Sequence, residues 1–100
     1  MTTKHKLLNK IAPLKDDKEI DLWYDGKQYF EKEYRIDKGY SIFIRYNFSI
    51  NILKYDASGC IKDYEYKDLE IEDVILCYKD ETEDYNYFNK KEVELKLLGL

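Results

Sequence analysis

Carboxylates are the most numerous chemically active groups of this chain: 21 Asp and Glu, against 17 Lys and Arg, a single histidine, His5, and two cysteines, Cys60 and Cys77. Nucleophilic catalysis needs a base beside the nucleophile, usually His. His5 stands among N-terminal lysines with no orienting partner in the sequence around it. Cys77 falls inside an apolar run and reads as a packed thiol, and Cys60 follows a turn. In a reducing compartment both are expected as thiols rather than a disulfide. A structural zinc site normally takes four Cys or His ligands, more than the chain has. Two acidic groups, Glu70, Glu72 and Asp73 and then Asp80, Glu81, Glu83 and Asp84, carry the oxygens a hard cation prefers. Neither follows the Asp-x-Asp-x-Asp-Gly spacing of an EF-hand loop, and a charge run is ordinarily a solvated face. No phosphate-cradling Gly-rich loop is present. The expectation is a protein without metal, cofactor or catalytic residue.

What the carboxylates do instead is concentrate. Residues 1–18 balance at +3 and 19–62 at zero, whereas 63–84 carry ten acids against Lys67 and Lys79, a net −8. Asymmetry of this size speaks to partners and solubility. It disfavours direct binding to a phosphate backbone, which requires clustered Lys and Arg. Tyrosine is the other excess, at eleven residues.

Elements must hold these groups in place, and the clearest lies at 40–55. Tyr40, Ile42, Ile44, Tyr46, Phe48, Ile50 and Ile52 alternate with Ser41, Arg45, Asn47, Ser49 and Asn51. Successive strand residues point to opposite faces, so this run has an apolar even face and a mostly polar odd face. It is long enough to require a bend or bulge near Asn47. Three short loops end in glycine: Tyr24–Gly26, Asp37–Gly39 and Ala57–Gly59. Read as three-residue hairpin loops with Gly in the left-handed region, they predict a meander of strands 19–24, 27–36, 40–55 and 60–67. That register pairs Ile20 with Phe30, Tyr34 with Ile42, Phe30 with Tyr46, Glu31 with Arg45, Ile52 with Tyr64 and Ile50 with Tyr66. Lys32 is the exception on the apolar face and must lay its stem across the sheet. Leu7, Leu8, Ile11 and Leu14 have helical spacing, with Thr2 or Thr3 as cap and Pro13 ending the helix at Ala12.

Further on, 68–78 suits either a helix or an acidic approach followed by a strand at 74–79, the latter preferred. Residues 80–84 read as a solvated turn. Val93, Leu95 and Leu97 alternate like a strand; Asn89 as cap, Glu92 three residues later and Gly99 as a stop describe a competing helix. The fold class is α+β: one domain over 1–100, with a basic helical segment (1–18), the meander (19–67) and an acidic segment with a C-terminal element (68–100).

Tyr40, Tyr46, Tyr64 and Tyr66 belong to the core by this register. Trp23, Tyr29, Phe43 and Tyr55 interrupt the polar face, and Tyr85 and Tyr87 follow the acidic run. Exposed aromatics of this kind are enriched in protein interfaces. The functional expectation is a non-catalytic binding module of inhibitor or immunity type. Asp68, Glu70, Glu72, Asp73, Asp80, Glu81, Glu83 and Asp84, anchored by Tyr85 and Tyr87, occupy the basic nucleic-acid groove of a partner protein. In composition this is comparable to small phage anti-restriction and anti-CRISPR proteins. The alternatives are an assembly subunit that self-associates through Trp23, Tyr29, Phe43 and Tyr55, and a small carboxylate or metal-dependent enzyme. No apolar run reaches the ~18 residues of a membrane span and no signal-peptide core follows Leu7. The expected state is therefore a cytoplasmic monomer or small homo-oligomer.

Overall fold

The computed structural model describes residues 3–36, 38–79 and 81–100. Four antiparallel strands, β1 (Gln28–Arg35), β2 (Tyr40–Tyr55), β3 (Ile61–Tyr78) and β4 (Glu81–Asp84), lie in the order β1-β2-β3-β4. Helices α1 (Thr3–Lys10) and α2 (Lys90–Leu97) flank them in sequence, and a short 3₁₀ turn, Leu14–Asp16, follows α1. The architecture is α+β.

Strand β2 is the axis of the sheet. Its even residues Ile42, Ile44, Tyr46 and Phe48 are almost completely buried, and both helices lie on that face. Leu7, Leu8, Ile11 and Leu14 come from the N-terminal segment and Phe88, Val93 and Leu97 from the C-terminal one. The β1–β2 register places Tyr34 opposite Ile42, Phe30 opposite Tyr46 and Glu31 opposite Arg45. At the far end Ile50 faces Tyr66 and Ile52 faces Tyr64. Gly39 (φ 83°) and Gly59 (φ 86°) supply the left-handed residue of each hairpin loop; the Asp37 of the first loop lies outside the described residues. Asp56 reinforces the second loop. Its N–H donates to Cys60 O at 2.8 Å, and its carboxylate accepts from Ser58 and from the Cys60 N–H. Those hydrogen bonds, the Ser58 hydroxyl foremost, hold the Asp56 carboxyl below its ordinary pKa.

Three expectations need correction. Residues 19–24 are not a strand, and Gly26 is not in the left-handed region. The Gln28 side chain stands in for a strand partner: Asp21 N–H donates to its Oε1 at 3.0 Å, and its Nε2 donates to Asp21 O at 2.8 Å. The Asp21 carboxylate then accepts the Trp23 N–H at 3.0 Å, turning the chain before a ladder can propagate. Second, 60–67 and 74–79 are one strand, β3, and the acidic approach lies within it. Register shifts opposite Arg45/Tyr46 and Asn47/Ser49 break its alternation, and Asp68 adopts φ 56°. Third, Glu81–Asp84 is a short edge strand rather than a turn; Asp80 lies outside the described residues.

At 90–97 the helix prevails over the strand. Asn89 Oδ1 accepts the Lys91 N–H at 2.8 Å. The far end closes with Gly99 (φ 79°), whose N–H donates to Lys96 O while Leu100 N–H donates to Leu95 O. Val93 and Leu97, four residues apart, are buried, whereas Leu95 between them is exposed. Replacing Asn89 with alanine is expected to lower stability by about 1 kcal/mol, read as a modest fall in thermal midpoint. At the other end, α1 stops two residues short of Ala12, since Pro13 disfavours helical geometry in the residue before it. A Thr2 cap lies outside the described residues.

Lys32 lies beneath the segment after α1, as its place on the apolar face requires. Its Nζ reaches Asp17 at 3.1 Å and Glu19 at 2.9 Å and lies 5.5 Å from the Phe30 ring centre. Burial alone would lower its pKa, but the hydrogen bonds and charges of Glu19 and Asp17 outweigh burial and raise it.

Candidate partner-binding surface

A carboxylate on a strand points where the alternation sends it, and the bulges of β3 near 68 and 72 therefore decide which acids share a face. Glu70 opposes Asn47 and Asp73 opposes Arg45, so both lie on the face away from the helices. Asp73 is not a lone charge there. Arg45 bridges Asp73 at 3.1 Å and Glu31 at 3.2 Å, a three-residue chain across β1, β2 and β3. Glu72 is the additional residue between Ile71 and Asp73 and is half-buried; Asp68 and Glu70 are exposed. Beyond the last turn of β3, Glu81, Glu83 and Asp84 are exposed on β4, at the edge of the sheet. From Asp63 to Asp73 six acids occupy about 33 Å of strand, roughly one per 5.5 Å. One strand of DNA carries a charge about every 3.4 Å, so this row has a little over half that linear density.

The aromatics divide into separate groups. Tyr85, directly after β4, is 63% exposed. Tyr87 turns inward, edge-on to Phe88 with ring centres 5.0 Å apart and 6.0 Å from Lys4 Nζ. Phe43 is half-covered, with the Arg45 guanidinium 5.9 Å from its ring centre. Trp23, Tyr29 and Tyr55 are 63%, 68% and 52% exposed, with no helix over them. Trp23 and Tyr55 are neighbours, ring centres 6.1 Å apart. From the sequence Leu53 reads as an apolar interruption of the polar face, and Tyr24 and Asp25 only as loop residues. Tyr24 and Leu53 are half-exposed, and Tyr24 and Asp25 line a hollow of about 350 Å³ with Trp23, Ile50, Asn51, Ile52 and Tyr55. The signal that could have found them is the Asp21–Gln28 pair, since a polar clamp makes a rigid platform of the loop between.

The opposite face has two hollows on either side of the 14–18 segment. One of about 390 Å³ reaches Tyr64 and Tyr66, and one of about 350 Å³ reaches Lys32, Tyr34 and Tyr46. Burial raises the pKa of all three of Tyr34, Tyr46 and Tyr66, with the Tyr64 hydrogen bond adding to it at Tyr66. These hydroxyls keep their protons well above neutral pH. Cys60 and Cys77 are separate thiols near opposite ends of β3. Among the described residues no group of three His, Cys, Asp or Glu side chains is placed to hold a metal ion. No helix among the described residues is long and apolar enough to cross a membrane.

No protein-family model, curated protein or solved structure matches this chain.

Proposed function

We propose that the protein is a non-catalytic binding module whose acidic β3–β4 edge occupies a basic groove of a partner protein, a groove that otherwise takes nucleic acid. One observation carries this reading: the described acids of the −8 segment, all but Asp80, are strung along one strand and its edge neighbour. Asp68, Glu70, Glu81, Glu83 and Asp84 are exposed there. The rigid sheet fixes their spacing, so little ordering cost falls on association. Exposed Tyr85 adjoins the row as an apolar anchor. Small phage proteins that block restriction or CRISPR enzymes offer the functional analogy, on composition alone.

The test is charge reversal with the fold kept. Changing Glu70, Glu72, Glu81 and Glu83 together to lysine takes the 63–84 segment from −8 to zero. Immobilised protein should capture from the lysate of its native host a protein that duplex DNA displaces. Its binding should fall roughly tenfold or more between low and physiological salt and vanish in the fourfold variant. Capture insensitive to salt, to DNA and to charge reversal rules the reading out.

A further inference from the structure

The hollow at Trp23 lies at the far end of the sheet from β4, and its lining has a chemistry of its own. Two features make it more than an apolar patch. First, the loop that builds it is clamped, because Gln28 closes both main-chain groups of Asp21 and Asp21 in turn fixes the Trp23 and Tyr24 N–H groups. The main chain that carries the exposed indole is thus fixed. Gly26 completes the fit, since a Cβ there would stand 3.0–3.3 Å from the Tyr24 ring. Second, the lining includes three aromatic rings and one carboxylate, Asp25, and contains no Lys or Arg. Its charge complement is a cation. Among the described residues, the ring–cation pairs lie elsewhere, at Tyr87, Phe30, Phe43 and Tyr78.

We infer that this hollow is a receptor for an arginine side chain of a partner protein. The guanidinium is planar and weakly hydrated, so it stacks on Trp and Tyr faces while its N–H fork reaches a carboxylate. Trp23 and Tyr55 supply the faces, Tyr24 the side wall and Asp25 the counter-charge; Ile50 and Ile52 receive the aliphatic stem. The inference rests on the partner-binding reading only in assigning the arginine to a partner, and it adds a second contact beside Asp63 and Glu65, at the other end of β3 from β4.

Trp23 is the only tryptophan in the chain, so its emission reports on the hollow directly. The full chain is titrated with N-acetyl-arginine amide and, in parallel, with the N-acetyl-citrulline amide of the same shape and no charge. The expected result is a saturable emission change with arginine and at least roughly tenfold weaker binding of citrulline. Tyr55→Ala and Asp25→Asn should each weaken arginine by about three- to tenfold. Gly26→Ala, which keeps every lining side chain but displaces Tyr24, should weaken it too. Glu83→Gln, on the distant acidic edge, should change nothing. An absent or unsaturable response overturns the inference, as does equal response to citrulline or equal loss in Glu83→Gln. So does concentration-dependent mass that Tyr55→Ala abolishes, which would make a second copy the occupant. No partner is present in this titration, so its failure leaves the charge-reversal result standing, and the converse holds.

Discussion

Phe48→Ala is expected to destabilise the protein by about 3–5 kcal/mol. Phe48 has no exposed surface and lies opposite Gln28, where β1 begins. Its ring is stacked 5.5 Å from Phe30 and 6.2 Å from Tyr46, and meets Tyr66 edge-on at 5.5 Å. Those partners come from β1, β2 and β3, so the cavity cannot collapse without moving two strand pairings. Domains of this size are stable by about 5–15 kcal/mol, and each kcal/mol is worth about 4–8 °C. The thermal midpoint should fall by roughly 12 °C or more. Tyr29→Ala, equally aromatic but 68% exposed, should move it by little, within about ±0.5 kcal/mol. A Phe48→Ala midpoint no lower than that of Tyr29→Ala would show that the core is not centred there.

The second large effect is loss of stability in alkali. Burial, reinforced by Tyr34, Asp17 and Glu19 nearby, raises the Tyr46 pKa far above its ordinary 10.0. Between those two values the unfolded chain has lost the phenolic proton and the folded chain has kept it. Stability therefore falls as pH rises past 10, by about 1.4 kcal/mol per pH unit for one fully buried tyrosine. Tyr34 and Tyr66 are shifted upward as well, and act in the same direction with smaller weight because they are only partly buried. Lys32 adds to them. Its raised pKa means that its contribution is complete below its ordinary 10.5 and is lost as pH climbs through the folded value. Urea midpoints measured from pH 8 to 11 should be level and then drop steeply beyond 10. Tyr46→Phe should flatten the drop, and a curve identical to that of the parent would refute the assignment.

What could be read in the sequence, and what could not, divides along a physical line. The 40–55 alternation needed only the two-residue period of a strand and a one-sided core, and β2 spans those residues. Gly39 and Gly59 fixed the register on both sides because a one-residue slip would exchange the faces. Ile20 and Leu22 alternate equally well, but a side-chain amide, Gln28, satisfied the backbone that a strand would have used, and no periodicity records that. β3 was divided in reading because its bulges break the period at 68 and 72. Val93, Leu95 and Leu97 fit two periods, and the cap at Asn89 decided between them. The acidic row was visible as composition, whereas its division into ion-paired Asp73 and exposed Asp68 and Glu70 depended on the bulges. The Trp23–Tyr55 hollow joins residues 32 positions apart across a loop whose shape had been misread.

The strands pair with their sequence neighbours, whereas the lid over their apolar face comes from the two ends of the chain. Lys4 and Glu92 approach to 3.4 Å, and Lys96 Nζ donates to Asn9 across 87 residues. In kinetic terms the molecule is a fast problem closed by a slow one. The hairpins need only short loops, yet Ile42, Ile44, Tyr46 and Phe48 stay wet until the most distant segments of the chain have met over them. Refolding should thus run in two unequal parts. Between them lies a sheet with one apolar face bare, and chain concentration decides whether that face finds its own helices or another molecule.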